Sequence, residues 1–304
     1  MQIPVSNSAS AVAPFLAMEI LERAQELERE GVDIVHLEVG EPDFDVPPCV
    51  LEAAQAAVRD GHTHYTHSLG LWELREAVAG YYLRRYGVSL APERVLITTG
   101  TSGGLALLMA LLLDPGSEVL LPDPGYACYP NFIRAYHGVP RRFPIEAGNG
   151  YQYPAETIAA ALTPRTRALL VNSPANPTAA IQSRATLEKL ARLPLTLISD
   201  EIYHGLEYGT PATSMLQVTD DCFVLDGFSK RYAMTGWRIG WLVAPPAAVA
   251  PLQRLQQNLF ICPPSVAQHA ALAALREGEA DVARMLEAYR RRRTVLLEGL
   301  RRLG

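Results

Sequence analysis

The chain has 304 residues, of which 49% are hydrophobic and only 19% are charged. These proportions exclude a disordered tail, and its 22 glycines and 23 prolines follow no period that would indicate a collagen-like or solenoid repeat. The formal net charge of −5 gives no electrostatic reason to bind nucleic acid. The sequence therefore predicts a packed globular protein.

The cysteines and the apolar runs indicate where such a protein would work. The four cysteines lie dozens of residues apart, which fits neither a zinc knuckle nor a dense disulfide framework. The longest apolar run, residues 104–113, is too short to span a bilayer, and residues 1–15 carry no Lys or Arg before their apolar stretch. We expect reduced thiols, no membrane association and a cytoplasmic location.

Helical and strand-like patterns alternate along most of the chain. An amphipathic helix at 14–30 and a strand at 34–39 come first, and several later runs are short and continuously apolar, as in strands covered on both faces. The further predicted elements are helices 48–60 and 71–86, strand 95–99, helix 102–113, strand 118–121, helix 126–137, strands 168–172, 195–199, 223–226 and 239–243, and a long helix 277–303. This alternation predicts an α/β fold with a mostly parallel, doubly wound sheet flanked by helices.

Polar and glycine-rich residues collect where the predicted strands end, and ligands of doubly wound sheets bind at that edge. The run Gly100-Thr101-Ser102 joins a strand to a helix, so its backbone N–H groups and hydroxyls are suited to an anion. Asn176 lies in a proline-rich loop after the predicted strand 168–172, and Asp200 closes the next predicted strand, 195–199. Each of these features taken alone is also explained by a tight turn, a rigid loop or a helix cap.

Lysine is scarce in this sequence, and its placement is therefore informative. Only two of the 27 basic residues are lysines, Lys189 and Lys230. Lys230 follows a predicted strand directly, and Arg238 stands eight residues later, just before the next strand. Any lysine chemistry has only these two candidates.

The segment from Asp226 to Gly240 resembles the fold-type-I, class I aminotransferases, which depend on pyridoxal 5′-phosphate (PLP). In that family a lysine forms a Schiff base with the cofactor and an arginine binds its phosphate; Lys230 and Arg238 match these positions. The other polar motifs match the family in the same order along the chain. The resemblance implies that PLP is bound by Tyr65 from a neighbouring subunit and, within the chain, by Gly100, Thr101, Ser102, Tyr126, Asn176, Asp200, Tyr203, Ser229, Lys230 and Arg238.

The resemblance also implies individual roles. Lys230, Asp200 and Tyr203 are expected to be catalytic, with Asp200 beneath the pyridine nitrogen and Asn176 and Tyr203 at the phenolic oxygen. Tyr126 is expected to stack on the ring, and Gly40 and Asn176 to contact the substrate. The expected protein is a homodimeric aminotransferase of amino-acid metabolism that moves an amino group from an amino acid to a 2-oxo acid.

The sequence departs from the family pattern at three places. Gly227 stands where the family often has serine, and Ala179 where it usually has glycine. The expected domains are an N-terminal arm at 1–30, a large PLP-binding domain at 31–275 and an interdomain helix at 276–304. The small domain that would follow is absent from this chain, so we expect PLP binding with weak turnover.

Alternative functions remain open at this level. The same residues serve a PLP-dependent Cβ (C–S) lyase, and a non-catalytic PLP-binding or regulatory module is a third possibility. His62, His64 and His67 crowd together without a neighbouring Asp, Glu or Cys, so no metal site is expected. Ser102 and Gln257 stand where aspartate-specific relatives carry a cation for the side-chain carboxylate, which predicts a substrate that is not a dicarboxylate.

Overall fold

A computed structural model describes residues 3–303 of the chain. Eleven α-helices and seven strands lie in this part, joined by short 3₁₀ segments. The strands are β1 (Val95–Thr98), β2 (Glu118–Asp123), β3 (Val139–Pro144), β4 (Thr166–Asn172), β5 (Thr196–Asp200), β6 (Phe223–Gly227) and β7 (Gly240–Val243). The helices are α1 (Asn7–Ser10), α2 (Leu16–Arg29), α3 (Pro48–Arg59), α4 (Trp72–Tyr86), α5 (Gly100–Leu112), α6 (Tyr129–Ala135), α7 (Ala155–Ala160), α8 (Arg184–Leu190), α9 (Pro246–Leu259), α10 (Ser265–Glu277) and α11 (Glu279–Leu303).

The seven strands form one sheet in the order β1-β7-β6-β5-β4-β2-β3. Strands β6, β5, β4, β2 and β3 pair in parallel, whereas β7 is antiparallel to both of its neighbours. Because β7 is antiparallel to both β1 and β6, these two strands run in the same direction. The expectation of a mostly parallel sheet is confirmed.

Helices cover both faces of the sheet. On one face α5, α6 and α9 share a hydrophobic cluster with inward residues such as Leu96 and Leu242. On the other face α3, α4 and α10 pack on the alternate residues, including Ile97 and Trp241. Successive strand residues point to opposite faces, so a strand buried on both sides needs the continuous apolar runs that the sequence shows. The result is a three-layer α/β architecture.

Several elements differ from the sequence-based expectation, and helices α1, α7, α8, α9 and α10 were not predicted at all. Residues 34–39 form no strand, and Val35 and Leu37 are 80% and 90% exposed. Strand β3 was not predicted, because its run Val-Pro-Arg-Arg-Phe-Pro buries only Phe143, as is typical of an edge strand. The long C-terminal helix begins at Glu279, after α10 has ended at Glu277. Within residues 3–303, no helix combines the length and apolarity needed to cross a membrane.

Candidate active site

The residues singled out in the sequence meet at one edge of the sheet. Strands β4, β5 and β6 are parallel neighbours, and Asn172 pairs in register with Asp200. Strand β1 runs in the same direction, so the N-terminus of α5 lies at that edge too. This edge holds the carboxyl ends of the strands, where doubly wound sheets bind their ligands.

The N-terminus of α5 and Arg238 form a cradle for an anion. Gly100 adopts φ +65°, and a Cβ atom there would lie 2.8 Å from Nη2 of Arg238, so only glycine lets the guanidinium approach. Arg238 is itself left-handed at φ 50°, and its Nη1 donates to the carbonyl of Thr235 at 2.9 Å. A guanidinium above a helix N-terminus combines two sources of positive potential. Thr101 and Ser102 follow Gly100 in the first turn of α5.

Asp200 is a buried carboxylate at the end of β5. Oδ2 accepts a hydrogen bond from the Tyr129 hydroxyl at 2.7 Å, and Oδ1 accepts one from the backbone N–H of Ile202 at 3.2 Å. Burial raises the pKa of Asp200 to about 6, although both hydrogen bonds act in the opposite direction. No Lys, Arg or His within residues 3–303 forms an ion pair with it. A cationic ring nitrogen is the kind of partner that such a carboxylate lacks.

Asn176 and Tyr203 come together although 27 residues separate them. Nδ2 of Asn176 donates to the Tyr203 hydroxyl oxygen at 3.3 Å. The backbone N–H of Asn176 donates to Oδ1 of Asn172 at 2.8 Å, and Nδ2 of Asn172 donates to the carbonyl of Asp200 at 3.1 Å. Asn172 therefore ties the loop after β4 to the end of β5. Sequence analysis did not single out Asn172 as part of the site.

Lys230 is half-buried just beyond β6, and its Nζ donates to the carbonyl of Gly40 at 3.0 Å. Burial lowers the pKa of the Lys230 amine below its usual value, and the nearby charge of Arg238 acts in the same direction, whereas Glu41 opposes it. A depressed pKa enlarges the neutral fraction of the amine, which is the nucleophilic form. The other lysine, Lys189, is exposed on α8 and pairs with Glu156 at 3.2 Å.

Tyr126 lies in an aromatic group that sequence analysis found only in part. Its ring meets the edges of Phe15 and Tyr129 at centroid distances of 5.9 Å and 5.1 Å. Asn131 fixes the arm that carries Phe15, because its side chain both accepts from the N–H of Ala13 at 3.1 Å and donates to the carbonyl of Ala13 at 2.9 Å. No local pattern marks Phe15 or Asn131, since the contact joins residues 118 positions apart.

The structure also places the remaining predicted site residues and the two positions where the sequence departs from the family pattern. Ser229 is buried between β6 and Lys230, whereas Tyr65 is 81% exposed on the loop between α3 and α4. At Gly227 a Cβ atom would lie 3.0 Å from Cα of Gly240 on β7, so a serine here would pack tightly against that strand. Ala179 adopts φ 55°, a left-handed conformation that glycine takes more readily.

The three histidines in the Tyr65 loop do not form a metal centre with other ligands. The ring of His62 stacks on His269 at 4.5 Å, and Nδ1 of His67 accepts from the backbone N–H of Leu69 at 3.2 Å. In the part of the chain that the structure describes, no group of three His, Cys, Asp or Glu residues could hold a metal ion.

A lysine, a buried aspartate and an anion cradle at one edge of a doubly wound sheet define the class of PLP-dependent enzymes with this fold. Residues 32–304 match the family model for aminotransferase class I and II, and the chain belongs to that family.

Individual relatives agree with this assignment. The chain is 40% identical to aspartate/prephenate aminotransferase of Thermus thermophilus over 99% of its own length and 80% of the relative's. It is 39% identical to valine–pyruvate aminotransferase of Mycobacterium tuberculosis, covering 97% of this chain and 78% of the relative. The crystal structure of aspartate aminotransferase from Thermus thermophilus with maleate superposes with a TM-score of 0.95 at 40% identity, covering all of this chain and 81% of that one. The protein is thus a PLP-dependent aminotransferase.

Proposed function

We propose that this site holds PLP, for which Arg238 and the N-terminus of α5 would hold the phosphate and Asp200 would hold the pyridine nitrogen. The support is the cradle in which Gly100 admits the guanidinium, together with a buried carboxylate that lacks a cation within residues 3–303. Tyr126 covers one ring face, and Asn176 and Tyr203 hold the phenolic oxygen. Ser229, Thr101 and Ser102 complete the phosphate contacts.

The cofactor supplies an electron sink when bound, and the side chains prepare the groups that react. The neutral Lys230 amine would hold the cofactor and, once displaced by the substrate, its Nζ would accept the proton from the substrate's Cα. Asp200 keeps the ring nitrogen protonated: opposite charges about 4 Å apart at an effective dielectric of 20 attract by roughly 4 kcal/mol. The Asn176 and Tyr203 hydrogen bonds favour an ionised phenolic oxygen. Gly40 and Asn176 border the substrate.

We further propose that the preferred amino donor has no second carboxylate. Ser102 lies in the first turn of α5, and Nε2 of Gln257 on α9 lies 3.4 Å from Oγ of Ser68, so neither position offers a cation. A buried carboxylate without a counter-charge is poorly held. The names of the relatives leave the substrate open, because one is an aspartate/prephenate enzyme and another a valine–pyruvate enzyme. Aspartate should therefore rank below a neutral donor in kcat/KM, and the opposite ranking would refute this proposal.

A homodimer is the proposed assembly, with Tyr65 serving the neighbouring subunit's phosphate. Tyr65 is largely exposed, and Leu259, Phe260 and Ile261 form an exposed apolar turn beside its loop. The turn and the loop are joined by the backbone N–H of Thr66, which donates to Sγ of Cys262 at 3.4 Å. Sedimentation should give about twice 33.2 kDa. Residues 31–275 are proposed as the large cofactor-binding domain, residues 1–30 as an arm and a cytoplasmic location as the setting.

The assignment of Lys230 as the cofactor lysine rests on its half-buried position just beyond β6, where burial lowers the pKa of its amine. Borohydride reduction of the PLP-loaded protein followed by peptide mapping tests it. The pyridoxyl label should appear on Lys230 in the wild type and in a Lys189→Arg variant. A label on Lys189, or labelling that survives Lys230→Arg, would refute it.

A further inference from the structure

His204 is a fully buried histidine that the proposed catalytic roles leave unused. It follows Tyr203 directly, and its side chain is 0% exposed. Nδ1 lies 2.7 Å from the hydroxyl oxygen of Tyr86, and Nε2 lies 2.9 Å from the carbonyl oxygen of Ser173. Both ring nitrogens therefore have partners, and each partner belongs to a different element.

The hydrogen-bond partners fix where the ring proton sits. The Ser173 carbonyl can only accept, so Nε2 carries a proton and donates it. The Tyr86 oxygen accepts from Nε of Arg85 at 3.1 Å, and burial raises the Tyr86 pKa, which keeps its hydroxyl proton available for Nδ1. Glu201 is the nearest carboxylate, but its Oε2 is 3.7 Å from Nδ1, too far for a hydrogen bond. The hydrogen bonds thus place a proton on Nε2, which donates to Ser173.

The Ser173 carbonyl belongs to the loop that presents Asn176. The backbone N–H of Ser173 donates to the carbonyl of Asp200 at 3.3 Å, and its Oγ accepts from the N–H of Gln182 at 3.0 Å. His204, which directly follows Tyr203, contacts the carbonyl of the same serine. The Nε2 hydrogen bond consequently couples the two loops whose tips meet at the Asn176–Tyr203 contact of 3.3 Å.

We propose that His204 is a positioning residue that sets the Asn176–Tyr203 pair through its Nε2 hydrogen bond to the Ser173 carbonyl. This inference rests on the proposed function, in which that pair holds the phenolic oxygen of PLP. When the bond is lost, the loop after β4 moves relative to Tyr203, and the two donors no longer converge. The ionised phenolic oxygen is then less stabilised, so the pH midpoint of the bound cofactor's absorbance change rises.

Two isosteric variants separate the two ring nitrogens. In His204→Gln the amide nitrogen replaces Nε2 and can still donate to Ser173, whereas in His204→Asn the amide replaces Nδ1 and the Ser173 contact is lost. Each variant removes one buried hydrogen bond, so the melting temperature of each PLP-free protein should fall by a similar amount. The absorbance midpoint of the PLP-loaded protein should rise by roughly half to one pH unit in His204→Asn and stay within about 0.2 unit of the wild type in His204→Gln.

Equal midpoints in the two variants, or a larger shift in His204→Gln, would overturn the proposal. If His204→Asn does not fold, Tyr86→Phe tests the proposal instead, because it removes the hydrogen-bond partner of Nδ1 and leaves the Nε2–Ser173 contact in place. Its midpoint must then stay within about 0.2 unit of the wild type while its melting temperature falls; a shift of half a unit or more contradicts the proposal. Peptide mapping of the wild type is done first: a label away from Lys230 defeats the proposed function, whereas a label on Lys230 with equal midpoints defeats only this inference.

Discussion

The carboxyl edge of the sheet and the segment at residues 34–39 differ in which groups they bury: ionisable groups are buried at the first, and apolar groups are exposed at the second. At the sheet edge Asp200 is buried, and Lys230 is half-buried with a depressed pKa. At residues 34–39 the apolar side chains of Val35 and Leu37 point into solvent, while His36 lies between Glu28 and Glu38. At the sheet edge, burial of Asp200 and Lys230 costs desolvation energy but shifts their pKa values in a way that suits chemistry. Residues 34–39, in contrast, make no contacts within the described residues that would order a strand.

The largest expected effect comes from the buried amine. Lys230→Ala removes the only lysine at the sheet edge and should lower kcat by on the order of 10⁴-fold or more. Lys189→Ala, on the exposed surface of α8, should stay within about twofold of the wild type, since it removes only a surface ion pair. Steady-state kinetics with saturating PLP measures both. Comparable losses in the two variants would show that the buried position of Lys230 gives it no special role.

Asp200→Asn should reduce activity and stabilise the PLP-free protein. Losing about 4 kcal/mol of attraction to the ring nitrogen predicts a fall in kcat of roughly 10³-fold. The pKa of Asp200 is raised from 3.8 to about 6, so its contribution to stability is fully present below pH 4 and is lost as the pH rises through 6. At pH 8 the variant should gain about 1–3 kcal/mol in free energy of unfolding.

Urea unfolding of the PLP-free proteins at pH 4 and pH 8 checks the sign of this effect. The gain should appear only at the higher pH. Asp221→Asn, at an exposed position, serves as the control and should show no such dependence. A variant that is less stable than the wild type at pH 8 would mean that the carboxylate has a compensating partner.

A pair of leucines tests how much apolar packing contributes to stability at a buried and at an exposed position. Leu107 on α5 is fully buried, and Leu37 is 90% exposed. Leu107→Ala should lower the free energy of unfolding by about 2–5 kcal/mol, because it loses transfer energy and leaves a cavity. Leu37→Ala should change it by less than about 0.5 kcal/mol. Denaturant titration measures both, and a large loss at Leu37 would reveal burial in the assembled protein.

The smallest effect concerns backbone strain beside the site. Ala179 adopts φ 55°, so Ala179→Gly should stabilise the protein by about 0.5–1 kcal/mol. Ala180→Gly, next to it, should destabilise the protein by a similar amount because it only adds freedom to the unfolded chain. Thermal melts compare the pair. Destabilisation by Ala179→Gly would show that the alanine methyl group makes contacts that outweigh the strain.

The strands were predicted from the sequence where both of their faces are buried, whereas helices α7 to α10 were not predicted. Strands β4 to β7 were predicted within two residues because strands covered on both faces are apolar throughout. The prediction failed where one side or both sides face solvent. Edge strand β3 contains two arginines and two prolines, and the apolar run at 34–39 has no neighbouring strand to pair with among residues 3–303.

The sequence by itself located the polar residues near the strand ends, among them Lys230, Asp200, Asn176 and Arg238, because strand ends are marked by local patterns. Only the tertiary structure decided which of these groups touch. The Tyr129–Asp200 bond, the Phe15–Tyr126 contact and the His204–Ser173 bond join residues separated by 71, 111 and 31 positions. Local periodicity carries no information at such distances, and these contacts form only when the fold brings the strand ends and the N-terminal arm together at one edge of the sheet.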